Sequence, residues 1–248
     1  MGKYSTVIFD LFDTIVDFNF NHLPTIELKG LRSRTTSTEV FEVFRQYYPD
    51  VSFEEFYQPF IDSYHEFQET KLKEFKEFPN RDRFKLMLSK MHLDPTENQD
   101  ELEDKMVIAH MDALARCVEF PEENKKTLEY IRTKDHRMAI VSNFDYSPTA
   151  YKLIDKFEIR SLFDEIIISG DVGWRKPKDI IFQAAINKLD IKASEALFVG
   201  DNYNADVVGS KAIDMDSVWI NRKNLSKTKL DPKPDYTIKS LSELINIV

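Results

Sequence analysis

The chain has 248 residues, 42% hydrophobic and 31% charged, as expected of one soluble globular domain or two small ones. Its formal net charge of −9 argues against nucleic acid or an anionic membrane as the main partner, and no apolar run nears the ~20 residues that span a bilayer. The single cysteine, Cys117, cannot form an internal disulfide, and Met1-Gly2-Lys3-Tyr4 enters a strand at once with no room for a signal peptide, so a cytoplasmic location is expected.

The first predicted element is Thr6–Asp10. An apolar, β-branched run drives into an aspartate and then breaks at Leu11-Phe12-Asp13-Thr14. A buried parallel strand delivers an acidic residue to the carboxyl edge of an open sheet in this way. Asp13 and Asp17 read as turn residues.

Residues 19 to 118 differ in character, being charged, aromatic and mostly helical. The segment Asn21–Thr36 reads as a loop in which Lys29, Arg32 and Arg34 gather, a basic rim in an acidic protein suited to an anionic substrate. His22 in the same loop is a weaker candidate acid or base. Thr36 with Glu39 and Ser52 with Glu55 match the capping-box pattern. Phe53, Phe56, Tyr57, Phe60, Tyr64 and Phe67 then recur at helical spacing, as a core stripe does. Pro59 within that stretch should kink the helix or move its start.

From about residue 119 the pattern alternates again. Apolar runs at Met138–Ser142, Glu165–Ser169, Ala196–Gly200, Ser217–Ile220 and Asp235–Ile238 are separated by helical stretches such as Asp179–Leu189 and Asp206–Ala212. Strand–helix–strand alternation predicts a parallel sheet covered on both faces, a Rossmann-like doubly wound α/β core. Pro121 and Pro177 suit first helical turns. The core is expected over 1–18 and 119–248, with 19–118 as an inserted helical domain.

Several strand ends carry chemistry. Ser142 and Asn143 close Met138-Ala139-Ile140-Val141, and a hydroxyl followed by a backbone N–H makes a phosphate-oxygen site. Gly200-Asp201 ends another strand, with Asp206 five residues on. Carboxylates crowded beside Asp10 would call for Mg²⁺. Lys176, before Pro177, is a candidate point charge, while Arg175 beside it reads as surface.

Asp10, Ser142, Lys176 and Asp201, in that order, resemble the four signature motifs of the haloacid dehalogenase-like (HAD) hydrolase superfamily, and the insertion after the first strand resembles a helical cap between motifs I and II. The resemblance covers nearly the whole chain. It implies that Asp10 is a nucleophile forming an aspartyl-phosphate, with Ser142 and Lys176 as catalytic partners. Asn143, Arg32 and Arg34 are then expected to bind substrate. Mg²⁺ would be held by Asp10, the Phe12 carbonyl and Asp201, with Asp206 acting on it through water or else starting the next helix. Phosphatase branches carry a second aspartate, an acid and base, two places after the nucleophile; here that place is Phe12. The expected activity is a Mg²⁺-dependent phosphatase acting on a small, anionic phosphorylated metabolite. The alternatives are a 2-haloacid dehalogenase-like hydrolase, whose halide leaving group needs no proton, or a catalytically impaired scaffold binding a metabolite or protein.

Overall fold

The computed structural model describes residues 3–28, 30–226 and 230–248. Met1, Gly2 and Lys29, on which part of the sequence reading rests, lie outside the described residues. In chain order the elements are β1 (Thr6–Phe9), β2 (Asp17–Phe18), β3 (Thr25–Leu28), β4 (Leu31–Arg34), α1 (Ser37–Phe44), α2 (Phe53–Glu74), α3 (Asn80–Lys90), α4 (Gln99–Arg116) and β5 (Val118–Glu119). There follow α5 (Glu122–Arg132), β6 (Arg137–Ser142), α6 (Ser147–Lys156), β7 (Glu165–Ile168), α7 (Ser169–Val172), α8 (Asp179–Leu189), β8 (Ala196–Gly200), α9 (Val208–Lys211), β9 (Asp216–Ile220) and β10 (Tyr236–Ile238).

The chain forms two compact units. One comprises residues up to Phe18, the short segment Phe75–Glu77, and Glu119–Val248; the other comprises Asn19–Glu74 and Phe78–Val118.

The first unit is built on a six-stranded sheet among the described residues, in the order β10-β9-β8-β1-β6-β7, with parallel pairing throughout. Residues two apart on a strand share a face. Ile8, Ala139, Val141, Ile167, Ala196 and Phe198 are buried on one face with Ile181, Phe182, Ala185 and Leu189 of α8. Val7, Phe9, Met138 and Ile140 alternate with them and are also buried. Burial on both faces explains why these strands read as continuous apolar runs. From β1 the chain winds one way through β6 and β7, then returns to β8, β9 and β10 on the other side. That reversal makes the carboxyl end of β1 a switch point, where ligands bind in open α/β sheets. The doubly wound α/β expectation holds.

Some boundaries differ from expectation. The Glu165 strand ends at Ile168, and Ser169 opens α7. The stretch from Asp206 is not one helix: a π-type turn, Tyr203–Val207, precedes the short α9. Pro121 is the N-cap of α5, and Pro177 precedes the Lys178 N-cap of α8, so neither stands in the first turn.

In the second unit, α1, α2, α3 and α4 pack around an aromatic core that includes Phe44, Phe56, Phe60 and Phe84. The Ser52–Glu55 capping box forms in both directions: the Ser52 N–H donates to Glu55 Oε2 (2.8 Å) and the Glu55 N–H to Ser52 Oγ (3.3 Å). The Thr36–Glu39 box does not form. The Thr36 hydroxyl instead pairs with His110 Nδ1 at 2.7 Å, a contact 74 residues away that no local pattern announces. Helix α2 runs from Phe53 through Pro59, so the proline does not set its start. The basic segment is not a plain loop: β3 and β4 form an antiparallel hairpin, with Glu27 opposite Arg32 and Thr25 opposite Arg34.

Candidate active site

β1 is fully buried and ends at Phe9; the Asp10 N–H then donates to the Val199 carbonyl at 2.9 Å, tying the aspartate to the end of β8. Phe9 lies opposite Val199 on one side and Ile140 on the other. The register therefore makes neighbours of the turns holding Asp10, Asp201 and Ser142. After Asp10 the chain turns through Asp13, whose φ of 58° is left-handed. The turn's hydrogen bonds fall on the carbonyls of Leu11 and Val16 rather than on that of Phe12.

Lys176 sits at the centre. Its Nζ is 2.6 Å from Asp10 Oδ1 and 2.8 Å from Asp206 Oδ1, and all three side chains are buried. Burial alone would lower the ammonium's pKa; the two carboxylates outweigh it and hold it above the ordinary value. Asp206 Oδ2 accepts the Asn202 N–H at 2.9 Å, so both oxygens of Asp206 have protein partners. Gly200 makes room for that carboxylate, because a Cβ there would stand 2.2 Å from Asp206 Oδ2.

The side chain of Asn143 clamps the Lys176 backbone, its Oδ1 accepting the Lys176 N–H at 2.8 Å and its Nδ2 donating to the Lys176 carbonyl at 3.0 Å. A substrate contact from Asn143 would therefore fall to its backbone N–H. Ser142 Oγ is buried without a hydrogen-bond partner among the described residues. A buried hydroxyl left unpaired is costly, and it suits a donor kept for a ligand oxygen.

Oxygens of Asp10, Asp201 and Asp206 lie within 4.8 Å of one another. Burial, and then the charges of Asp10, Asp206 and Asp13, push the Asp201 carboxyl up to about 8. One ammonium faces three carboxyl groups, and the burial and repulsion that raise Asp201 are what a hard cation would relieve. The donor set fits Mg²⁺. Asp10 and Asp201 would be the carboxylates to hold it directly, because both oxygens of Asp206 are already taken, one by Lys176 and the other by the Asn202 N–H.

Phe12 is half-buried in an aromatic stack, with centroids 5.0 Å from Phe18 and 4.7 Å from Phe144. Beside Asp201 a cleft of about 440 Å³ opens, lined among others by Asp13, Tyr203, Trp219 and Arg222. Arg222 donates to the Asp13 carbonyl and lies 3.3 Å from Asp17. Arg32 and Arg34 belong to the helical unit, exposed on β4, and His22 of that unit places Nδ1 3.2 Å from the Arg116 carbonyl.

The family model for haloacid dehalogenase-like hydrolases matches residues 4–214. The chain belongs to that family. Among curated relatives, the HAD chain is 28% identical to a glyceraldehyde 3-phosphate phosphatase of Methanothermobacter thermautotrophicus over 56% of its own length and 64% of the relative's. It is 27% identical to a protein of the same name from Methanopyrus kandleri over 98% and 96% of the two chains. The matches to the first four curated relatives span about half to two-thirds of their lengths. A HAD phosphatase from Thermococcus onnurineus has the same fold, with a TM-score of 0.59 at 23% identity over 98% of this chain and 97% of that one.

Two features of this HAD site escaped the sequence reading. Arg175, read as surface, places Nη1 3.7 Å from Glu77 Oε1, with its side chain only 17% exposed. Ser169 Oγ binds both Glu77 and the Phe144 backbone. Each depends on long-range pairing and left no local sequence signal. Phe144 was within reach, since it follows the Ser142-Asn143 pair.

Proposed function

We propose that this HAD hydrolase is a Mg²⁺-dependent phosphatase that acts on a small phosphorylated metabolite through an aspartyl-phosphate at Asp10. The observation carrying this reading is the convergence of Asp10, Asp201 and Asp206 on one point with a single ammonium, Lys176, among them. Bound Mg²⁺ would neutralise charge on the phosphoryl oxygens. Asp10 Oδ attacks phosphorus as the ester P–O bond breaks. The ammonium of Lys176 offsets the charge of the attacking carboxylate and of the phosphoryl group, and Asp206 keeps that ammonium in place. Ser142 Oγ–H donates to a phosphoryl oxygen. Water then attacks the acyl phosphate, releasing inorganic phosphate and restoring the Asp10 carboxylate.

Phe12 has no proton to give the leaving oxygen, so substrates with stable leaving anions are favoured unless substrate or solvent supplies the proton. The helical unit acts in this reading as the cap that sets substrate choice, with Arg32 and Arg34 attracting anions, and the enzyme works in the cytoplasm. Glyceraldehyde 3-phosphate and related triose and sugar phosphates head the panel to test. Phosphate release with Mg²⁺, abolished by EDTA and by Asp10→Asn, is the expected result. No release from any phosphate would refute the reading.

The aromatic stack at Phe12 favours one second reading, a 2-haloacid dehalogenase-like reaction in which Asp10 displaces halide from carbon. Halide release in EDTA would establish it; the carboxylate cluster argues the other way.

A further inference from the structure

Residues Phe75–Glu77 lie in sequence between α2 and α3, yet they belong to the α/β unit. They run antiparallel to Gly173–Arg175, the stretch that leads into Lys176. The Glu77 N–H donates to the Gly173 carbonyl at 3.0 Å, and the Arg175 N–H donates to the Phe75 carbonyl at 3.1 Å. Between these bonds Lys76 is bridged to Trp174, with its ammonium 5.7 Å from the indole centroid.

The Glu77 side chain reaches further. It is buried, and its Oε2 accepts the Ser169 hydroxyl at 2.6 Å. Ser169 Oγ in turn accepts the Phe144 N–H at 2.8 Å. One hydroxyl thus relays between a carboxylate and the backbone just after Ser142-Asn143. The turn it secures is closely packed: the Gly170 N–H donates to the Phe144 carbonyl at 3.0 Å, and a Cβ at Gly170 would stand 2.7 Å from Ser147 Oγ. The same short segment therefore grips both loops that face Asp10, the Ser142 loop by its side chain and the Lys176 loop by its backbone. Asn143 joins the two loops directly.

We infer that Glu77 is a positioning residue: through Ser169, and with the Phe75–Glu77 strap, it fixes the loops that present Ser142 and Lys176. Its consequence for turnover rests on the phosphatase reading, but its structural half does not. A carboxylate accepting a buried hydroxyl makes a charge-assisted bond, stronger than a neutral pair. Placing catalytic groups depends on such supporting contacts, because small displacements reduce rate steeply.

The test uses the full chain with Glu77→Ala, Glu77→Gln, Ser169→Ala and the Glu77→Ala/Ser169→Ala pair. The first readout is hydrogen–deuterium exchange of peptides covering 142–147 and 170–176. Loss of one buried, charge-assisted bond should speed exchange in both segments by roughly tenfold or more in Glu77→Ala. Glu77→Gln, whose amide oxygen still accepts from Ser169, should restore most of the protection. In the phosphatase assay kcat should fall more than KM changes in Glu77→Ala, and the double variant should be no worse than the poorer single one. Unchanged exchange in both segments, or multiplicative losses in the double variant, would overturn the inference. If Glu77→Ala does not fold, Ser169→Ala, which removes only the relaying hydroxyl, decides it by the same exchange readout: faster exchange at 142–147 upholds the inference and wild-type exchange overturns it. A wild type silent on every phosphate, with the exchange effects intact, would count against the phosphatase reading and leave the positioning role standing.

Discussion

The ring of Phe12 stacks on that of Phe144 with 4.7 Å between centroids, so an apolar contact occupies the place where a phosphatase of this family has its acid. Rate should therefore depend steeply on leaving-group pKa, with acyl and aryl phosphates turned over far faster than alkyl phosphates. Phe12→Asp should restore part of the alkyl deficit, within the ~10²–10⁴-fold available to a positioned acid. It also removes two stacked contacts, with Phe18 and Phe144, each worth ~0.5–1.5 kcal/mol beyond area burial, so melting temperature must be followed in parallel. Equal chemical-step rates for alkyl and aryl esters in the wild type would mean that another group gives the proton.

Asp201 and Asp206 should separate in a metal titration. Asp201→Asn takes a formal charge from the cation site and should remove most Mg²⁺ affinity. Asp206→Asn frees Lys176 from one of its two carboxylates and should lower kcat while Mg²⁺ binding largely persists. Calorimetry on both variants checks this; equal loss of affinity would make Asp206 a direct ligand.

Ser142→Ala removes a buried hydroxyl that has no hydrogen-bond partner among the described residues. Stability should stay level or rise slightly, while kcat falls by ~10²-fold, the scale of one lost donor to a transition-state oxygen. A large drop in melting temperature would assign the hydroxyl to the fold instead.

Replacing Arg32 and Arg34 with Ala should raise KM for an anionic substrate at low salt and spare kcat, since rim charge assists capture more than chemistry. An unchanged KM would leave both residues as hairpin surface.

The acid limb of stability should owe part of its slope to Asp216. Burial alone would raise its pKa; the bonds from Lys3 and Tyr4 and the charge of Lys211 bring it down to about 2. A folded pKa below the unfolded value of ~3.9 gives stability that is present above that value and lost as pH falls through about 2. Asp216→Asn should therefore lower the unfolding free energy measured by urea titration near neutral pH, by no more than ~1 kcal/mol for a partly exposed pair. The difference from wild type should shrink between about pH 4 and about pH 2.

The fold was legible where burial writes itself into sequence. Ala196–Gly200 and Asp179–Leu189 coincide with β8 and α8, because a strand buried on both faces is a pure apolar run and a helix on a sheet repeats its apolar stripe. The hairpin at β3 and β4 was missed because its strands are mostly exposed and carry no apolar run. Lys73-Glu74-Phe75-Lys76-Glu77 looks like more of α2; only its partner at Gly173–Arg175, nearly a hundred residues on, makes it a strap. In the site, Asp10, Lys176 and Asp201 were legible as strand ends and their sequels. That Asp206 braces the lysine was not, since spacing cannot say which way a carboxylate on a turn will face.

The Phe75–Glu77 strap also limits modular exchange. An insertion entered and left once could be trimmed to a linker, or swapped for a relative's, without touching the catalytic loops. Here the insertion's own sequence supplies hydrogen bonds to the chain just before Lys176. A chimera that replaced residues 19–118 wholesale would discard Glu77 with the helices, so any graft meant to change specificity must carry these three residues across.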